Sequence, residues 1–300
     1  MNAFDFELVG TRIRIQCSDR PTFDLLWSAY GHLASDGESP ALIYTVGESE
    51  PGVFQIQKKG RREEEPAETI LGRGWLLALL DDDLVVSLQH LHPELYFLHA
   101  AVLTRNELAF LFPAPAGSGK STLAWALLQH GFGYVSDELA PLDLDSLKVL
   151  RFPRPLCLKQ EPPMGYEIMT PTLTTERAIH ISANDLPAAP ASKNLPVAGI
   201  FFPRYHHEHA DSVPRRVSPA RATTRIYVNC LNALAHPASG LAAAESLATR
   251  LPCFELATAN LDEACRGVCQ VVDELVPMET GVSSTQSDGG ASSDPPLCAP

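Results

Sequence analysis

Positive charge is scarce in this chain. Its 300 residues include 36 Asp and Glu against 23 Lys and Arg, a formal net charge of -13. No basic stripe is available to neutralise a phosphate backbone, which argues against a general nucleic-acid binder. The one positive cluster, Lys58-Lys59-Gly60-Arg61-Arg62, runs directly into Glu63-Glu64-Glu65 and reads as a solvated hairpin end. Also missing is any uninterrupted apolar run of the ~18 residues that a membrane span requires. The first residues, MNAFDFELVG, lack the basic-then-apolar pattern of a signal peptide. Cysteines are few, odd in number at seven and irregularly spaced, which suits reduced thiols better than a disulfide framework. Cys265 and Cys269 share a helix face, but no second pair accompanies them, so core packing is expected there rather than zinc. No internal repeat is visible. These absences leave a cytoplasmic protein, bacterial in style, with no membrane partner. Its 45% hydrophobic and 20% charged residues are ordinary for a globular chain, and its length allows two domains.

What is present divides into three parts. Residues 1–95 read as a small α+β module: strands over Phe4–Val9, Arg12–Cys17, Leu42–Val46 and Val53–Gln57, a helix over Phe23–Leu33, and a long helix over Gly74–Leu91. No catalytic constellation stands out in this part, and His90 and His92 fall on different faces of the last helix end. Residues 96–276 carry the chemistry. Strands are expected at Tyr96–Leu103, Leu108–Phe112, Gly133–Ser136, Lys148–Phe152, Pro155–Leu158, Ala178–Ser182, Val197–Phe202 and Pro252–Leu256. Helices are expected after the glycine-rich loop and at Ala222–Ala235, Leu241–Arg250 and Leu261–Leu275. Residues 277–300, rich in Ser, Gly and Pro, offer too little apolar surface to offset their ordering entropy and read as a disordered tail.

The most informative stretch is Ala114-Pro-Ala116-Gly117-Ser118-Gly119-Lys120-Ser121-Thr122. It is a phosphate-binding loop of the G-x-x-x-x-G-K-[ST] type, with Ala114 in place of the first glycine. Glycines let successive backbone N–H groups converge on phosphate oxygens. Lys120 supplies a point charge at the β/γ-phosphates, the Ser121 hydroxyl can ligate Mg²⁺, and the helix starting there presents its positive dipole end. An apolar strand before the loop and a helical run after it supply the required context, so ATP and Mg²⁺ are the expected ligands, held by Ala116, Gly117, Ser118, Gly119, Lys120, Ser121 and Thr122. The hairpin preceding the loop is unusual, because most such enzymes begin with the loop strand itself.

Asp137 and Glu138 end the strand after the loop helix, where ligands gather in open α/β sheets. One carboxylate can stabilise a metal ion while the other accepts a proton from an attacking hydroxyl. Arg204, after the strand Val197–Phe202, is placed to neutralise charge on a transferring phosphoryl group. His99 interrupts an apolar strand and, taken alone, reads as a hydrogen-bonded core residue. His206-His207-Glu208-His209 looks metal-like, yet adjacent loop residues rarely chelate one ion without distant partners, so a solvated loop is expected.

The order His99-Ala-Ala-Val102, hairpin, Ala114–Ser121, His130-Gly131 and Val135-Ser-Asp137-Glu138 resembles the bacterial HPr kinase/phosphorylase family. These are serine protein kinases akin to PEP carboxykinase and unrelated to the eukaryotic protein-kinase fold. The resemblance implies an α/β fold: a mixed-sheet P-loop kinase domain of HPr kinase/PEP carboxykinase type, preceded by the small α+β module. Carried over by position, Lys120 would bind phosphate, Ser121 and Asp137 would face Mg²⁺, Glu138 would fill the place of the catalytic aspartate, and His99 would assist at the active centre. The partner implied is a small protein or peptide whose serine accepts the phosphate. The family's hexamers make a homo-oligomer a further possibility of the resemblance. The chain departs from the pattern at Ala114, at Glu138 in place of aspartate, and in the family's downstream E-[IV]-R-G-x-G segment, for which Arg-Phe-Pro-Arg-Pro-Leu (151–156) is the nearest substitute. It is most similar to the divergent HPr-kinase-related kinases of bacterial peptide-modification clusters. Two rival readings stand beside this one: a small-metabolite kinase of shikimate-kinase type, and a non-catalytic nucleotide-sensing scaffold.

Overall fold

The computed structural model describes residues 1–37, 39–60, 65–205 and 212–275. The Arg61–Glu64 charge run, the His206–His209 loop and the tail after Pro277 lie outside the described residues. What is described is a mixed α/β fold with three sheets and six α-helices.

The first sheet contains β1 (Asn2–Leu8), β2 (Thr11–Cys17), β3 (Leu42–Glu50), β4 (Val53–Lys59) and β5 (Glu68–Leu71), in that order across the sheet. Only the β2–β3 pairing is parallel, across the helix α1 (Arg20–Tyr30). Strict alternation buries Phe4, Phe6, Leu8, Ile13 and Ile15 on one face. Helix α1 begins earlier than the periodicity suggests, because the Asp19 carboxylate accepts the Thr22 N–H (2.7 Å) and proline opens its first turn. Helix α2 (Arg73–Leu91) lies over the same core, burying Leu76, Leu77, Leu80, Leu84 and Leu88. That core also takes in Phe97, Leu139 and Phe152, so the first 95 residues share an apolar interior with the rest of the chain.

The central sheet is built on β6 (Tyr96–Arg105) and β7 (Leu108–Pro113), an antiparallel hairpin whose two-residue turn places Asn106 and Glu107 in the left-handed region. The loop Ala114–Gly119 and helix α3 (Lys120–Gln129) follow. Next come β8 (Gly133–Ser136), β9 (Leu139–Asp143) and β10 (Lys148–Val149). A small antiparallel sheet of β11 (Leu156–Leu158), β12 (Leu173–Thr174) and β13 (Ile179–Ile181) intervenes. Then β14 (Leu195–Arg204) runs parallel to β7, and β15 (Arg215–Arg216) leads through α4 (Pro219–Tyr227) and α5 (Leu241–Arg250) to β16 (Cys253–Ala257). The last strand runs parallel to β14, and α6 (Leu261–Leu275) closes the described chain.

Apolar side chains on both faces explain why β6 reads as a nearly unbroken apolar run. Ala101 and Leu103 pack under α3 and α6, whereas Tyr96, Leu98, Ala100 and Val102 face α4 and α5. The helix expected over Ala222–Ala235 instead ends at Tyr227. Asn232 is the reason: its side chain accepts the Phe97 N–H (3.0 Å) and donates to the Leu95 carbonyl (2.8 Å), trading helix for a tether along β6. The strand expected over Lys148–Phe152 is reduced to two residues, and β5, β9, β12 and β15 have no counterpart in the sequence reading.

Candidate active site

The site assembles where the loop, α3 and the β8–β9 junction meet. Gly117 (φ 79°) and Gly119 (φ 86°) both hold left-handed conformations, which is why glycine occupies them. A side chain on Gly117 would meet nothing within 4 Å, so the loop opens outward there, and no side chain caps the start of α3. Two hydroxyls beside the loop, Ser118 Oγ and Thr258 Oγ1, are buried without a hydrogen-bond partner. Thr258 Oγ1 lies 4.0 Å from where a Gly119 Cβ would stand. Uncapped N–H groups, orphaned hydroxyls and an open left-handed loop together fit a phosphate group. Lys120 is buried and donates to the carbonyls of Ala114 (2.6 Å) and Pro115 (3.2 Å). Burial pulls its pKa down, partly countered by Glu138 and Asp137, with Lys159 adding a second cation close enough to be felt.

Asp137 and Glu138 follow directly on the carboxyl end of β8, where the sequence reading expected them. Strands β8 and β9 both lie antiparallel to β6, and the two carboxylates occupy the junction between them. Ser136 turns the backbone there: its hydroxyl accepts the N–H groups of Glu138 (3.2 Å) and Leu139 (3.0 Å). Asp137 is fully buried. Its Oδ2 accepts from the Ser121 hydroxyl (3.3 Å) and the Cys157 N–H (3.0 Å), and its Oδ1 from the Tyr134 hydroxyl (3.2 Å). Burial raises its pKa, against the pull of the nearby Arg154 cation. Glu138 keeps 40% of its side-chain surface open and lies 2.9 Å from His99 Nε2. Burial raises the Glu138 pKa, but the His99 hydrogen bond and the Arg154, His99 and Lys120 charges outweigh it and leave the group at about 2.

Strand parity explains His99. It shares a face with Ala101 and Leu103, the residues under α3, and therefore points to the loop's side of the sheet. The structure thus brings His99, Lys120, Ser121, Asp137 and Glu138 together. Arg204 ends β14 with its side chain exposed, and its carbonyl accepts the Thr258 N–H (3.0 Å), so its backbone borders the loop. Among the described contacts its guanidinium does not join the carboxylates. Ala116, Ser118 and Thr122 take their expected places on the loop and first helical turn.

Sequence reasoning missed the cation at the centre. Arg154 is buried, pairs with Asp81 on α2, and lies 3.4 Å from both Asp137 Oδ1 and Glu138 Oε2. Its signal was an arginine within Phe152-Pro-Arg154-Pro-Leu156, a stretch that otherwise buries itself, and three aspartates, Asp81–Asp83, interrupting an apolar helix. Among the described residues no group of three or more His, Cys, Asp or Glu could hold a metal ion. The described cysteines are free, and Cys265 packs in the core beside α3.

No helix among the described residues is long and apolar enough to cross a membrane. No family model and no curated protein matches the chain. Among solved structures the chain is similar to the HPr(Ser) kinase/phosphatase from Coxiella burnetii, with 14% identity, covering 59% of this chain and 98% of that one, at a TM-score of 0.31. That likeness is remote, and the chemistry of the site is read from its own geometry.

Proposed function

We propose that the chain is an ATP- and Mg²⁺-dependent kinase that passes the γ-phosphate to a hydroxyl, that of serine, on a small protein or peptide. In this reading residues 96–276 form a P-loop kinase domain of HPr kinase type, and residues 1–95 are its amino-terminal module. The supporting observation is the convergence of Ser121 Oγ on Asp137 Oδ2 (3.3 Å) beside the Glu138–His99 pair, at the mouth of an open glycine loop. The loop N–H groups, Lys120 and the orphaned Ser118 and Thr258 hydroxyls would bind phosphate. Ser121 and Asp137 would hold Mg²⁺, whose charge neutralises the phosphate oxygens when bound.

Glu138 would take the proton of the acceptor hydroxyl, oriented by His99. A carboxylate held at about 2 is a weak base, and part of its acidity comes from Lys120. Phosphate oxygens engaging Lys120 would withdraw that support and make Glu138 more basic when substrate is present. Arg204, bordering the loop, would meet the transferring phosphoryl group. A non-catalytic nucleotide-binding scaffold is the second reading, favoured by the carbonyl bonds that already engage the Lys120 ammonium.

The test is calorimetric titration of ATP with Mg²⁺ into the wild type and Lys120→Ala, joined to a transfer assay on serine peptides and small hydroxylated metabolites. Loss of this cation should weaken nucleotide binding about tenfold or more. Equal affinity would overturn the loop assignment. Binding without transfer to any acceptor would favour the scaffold, and transfer to metabolites alone would favour the small-molecule kinase.

A further inference from the structure

Arg154 is one cation among three carboxylates, and the three contacts are unequal. Its tightest contact is the Nη1 bond to Asp81 Oδ2 on α2. The other two are longer: Nε to Asp137 Oδ1 at 3.4 Å and Nη2 to Glu138 Oε2 at 3.4 Å. Nε forms no directed hydrogen bond at all. Asp81 is itself fixed, because its other oxygen accepts the Tyr30 hydroxyl from the end of α1 (2.5 Å). The guanidinium is therefore drawn toward the amino-terminal helices and held just beyond good bonding distance of the carboxylate pair.

The two oxygens of Asp137 are correspondingly divided. Oδ1 faces Arg154 and Tyr134, while Oδ2 faces Ser121 and the Cys157 N–H. A cation that closed on Asp137 would neutralise it and repel a second cation at the same carboxylate. We propose that Asp81 is a positioning residue for this site: by anchoring Arg154 on α2 it keeps the guanidinium off Asp137 and leaves Oδ2 able to receive a metal ion with Ser121. The amino-terminal module is then part of the phosphotransfer unit, and a displacement of α2 changes the metal affinity of the site it reaches through Arg154. This inference rests on the kinase reading for the identity of the metal and the nucleotide.

The experiment compares ATP binding with and without Mg²⁺, by calorimetry, in the wild type and Asp81→Asn. With the anchoring charge removed, Arg154 moves onto Asp137 and Glu138. The gain in ATP affinity that Mg²⁺ confers should fall by about three- to thirtyfold, within the range of coupling among groups in one ionic network. Affinity for metal-free ATP should change far less. Tyr30→Phe, which deletes one hydroxyl and keeps the ring packing, should shift the Mg²⁺ dependence in the same direction by a smaller factor, and serves if Asp81→Asn does not fold. A variant that is less heat-stable but keeps the wild-type Mg²⁺ gain would make Asp81 purely structural and overturn the proposal, as would a larger Mg²⁺ gain. A wild type that binds metal-free ATP and gains nothing from Mg²⁺ would overturn it while sparing the loop assignment. A wild type that binds no nucleotide would overturn both.

Discussion

Asp5 and Arg154 are opposites in charge balance. On the first sheet, one carboxylate sits between two guanidiniums: Asp5 accepts from Arg12 Nε (3.0 Å) and from Arg14 Nε (2.6 Å) and Nη2 (2.9 Å). At the candidate site, one guanidinium sits among Asp81, Asp137 and Glu138. The first arrangement joins neighbouring strands, with Asp5 directly opposite Arg14, and of its two cations Arg14 reaches water. The second has Arg154 and Asp137 buried and Glu138 partly open, and is drawn from three separate parts of the chain. Surplus cation at a wet surface is readily tolerated. Surplus anion around a buried guanidinium is costly unless other cations offset it, as His99 and Lys120 do beside Glu138. The difference separates a cluster that fastens a sheet from one that gathers distant parts of the chain around an open carboxylate.

The largest expected effect tests whether the surplus anion does chemistry. Glu138→Gln preserves the shape of the side chain, its reach toward His99 and its open surface, and removes the charge. On the kinase reading turnover should fall by roughly 10²–10⁴-fold, the usual contribution of a general base. Nucleotide titration should still show binding, since Lys120 and the loop are intact. Phosphoryl transfer at near-normal rates in this variant would leave Glu138 as no more than a partner for His99, and the two clusters would then differ only in burial.

Next is the energetic contrast between the clusters. Arg154→Met strips the cation from Asp81 and the fully buried Asp137, and should cost roughly 3–5 kcal/mol of unfolding free energy at neutral pH, the scale of a broken buried pair. The cost should shrink as pH falls, because losing the cation raises the Asp137 pKa further and protonation then relieves it. Arg12→Met leaves Asp5 with Arg14 and should cost about 1 kcal/mol or less. Denaturant unfolding at two pH values measures both. Equal costs would erase the distinction.

The same contrast explains what could be read in advance. Alternation in Asn2–Leu8 and Thr11–Cys17 encodes the first sheet and its face, because the contacts involved lie within a few residues of one another. The loop was legible for the same reason: Gly117, Gly119, Lys120 and Ser121 act through local backbone geometry. His99 was recognisable only through the resemblance, since its own strand context suits an ordinary core histidine; parity on β6 is what turns it toward α3. Arg154 was not legible as a site residue. Its partners lie 73, 17 and 16 residues away, and a proline-flanked arginine ordinarily ends up in solvent. The strand-end placement of Asp137 and Glu138 was legible, whereas the second strand directly beyond them was not. Leu139–Asp143 shows no break from the preceding strand in hydrophobicity, and the role of Ser136 in turning the backbone emerges only once both segments lie on β6.

The smallest effect expected belongs to the fastening cluster and concerns pH. The Asp5 carboxyl has its pKa held below the ordinary 3.8, chiefly by the Arg14 hydrogen bond, with burial opposing and Arg12 adding to the depression. A carboxyl that is more acidic folded than unfolded stabilises the fold above its unfolded pKa and loses that contribution as pH falls through the folded value. In Asp5→Asn the charge is gone at every pH. The unfolding free energy of the variant should lie about 1 kcal/mol or less below wild type at pH 7, since Arg14 is partly exposed and screened. That gap should hold down to about pH 4 and close below it, where the wild-type carboxyl takes up its proton. Added salt should narrow the gap at pH 7, as expected where one of the cations reaches water. A gap that stays constant from pH 7 to pH 3 would mean that Asp5 contributes by packing and hydrogen bonding alone. The cluster on the first sheet would then fasten by shape, and the buried network around Arg154 would be the one of the two whose charge matters to the fold.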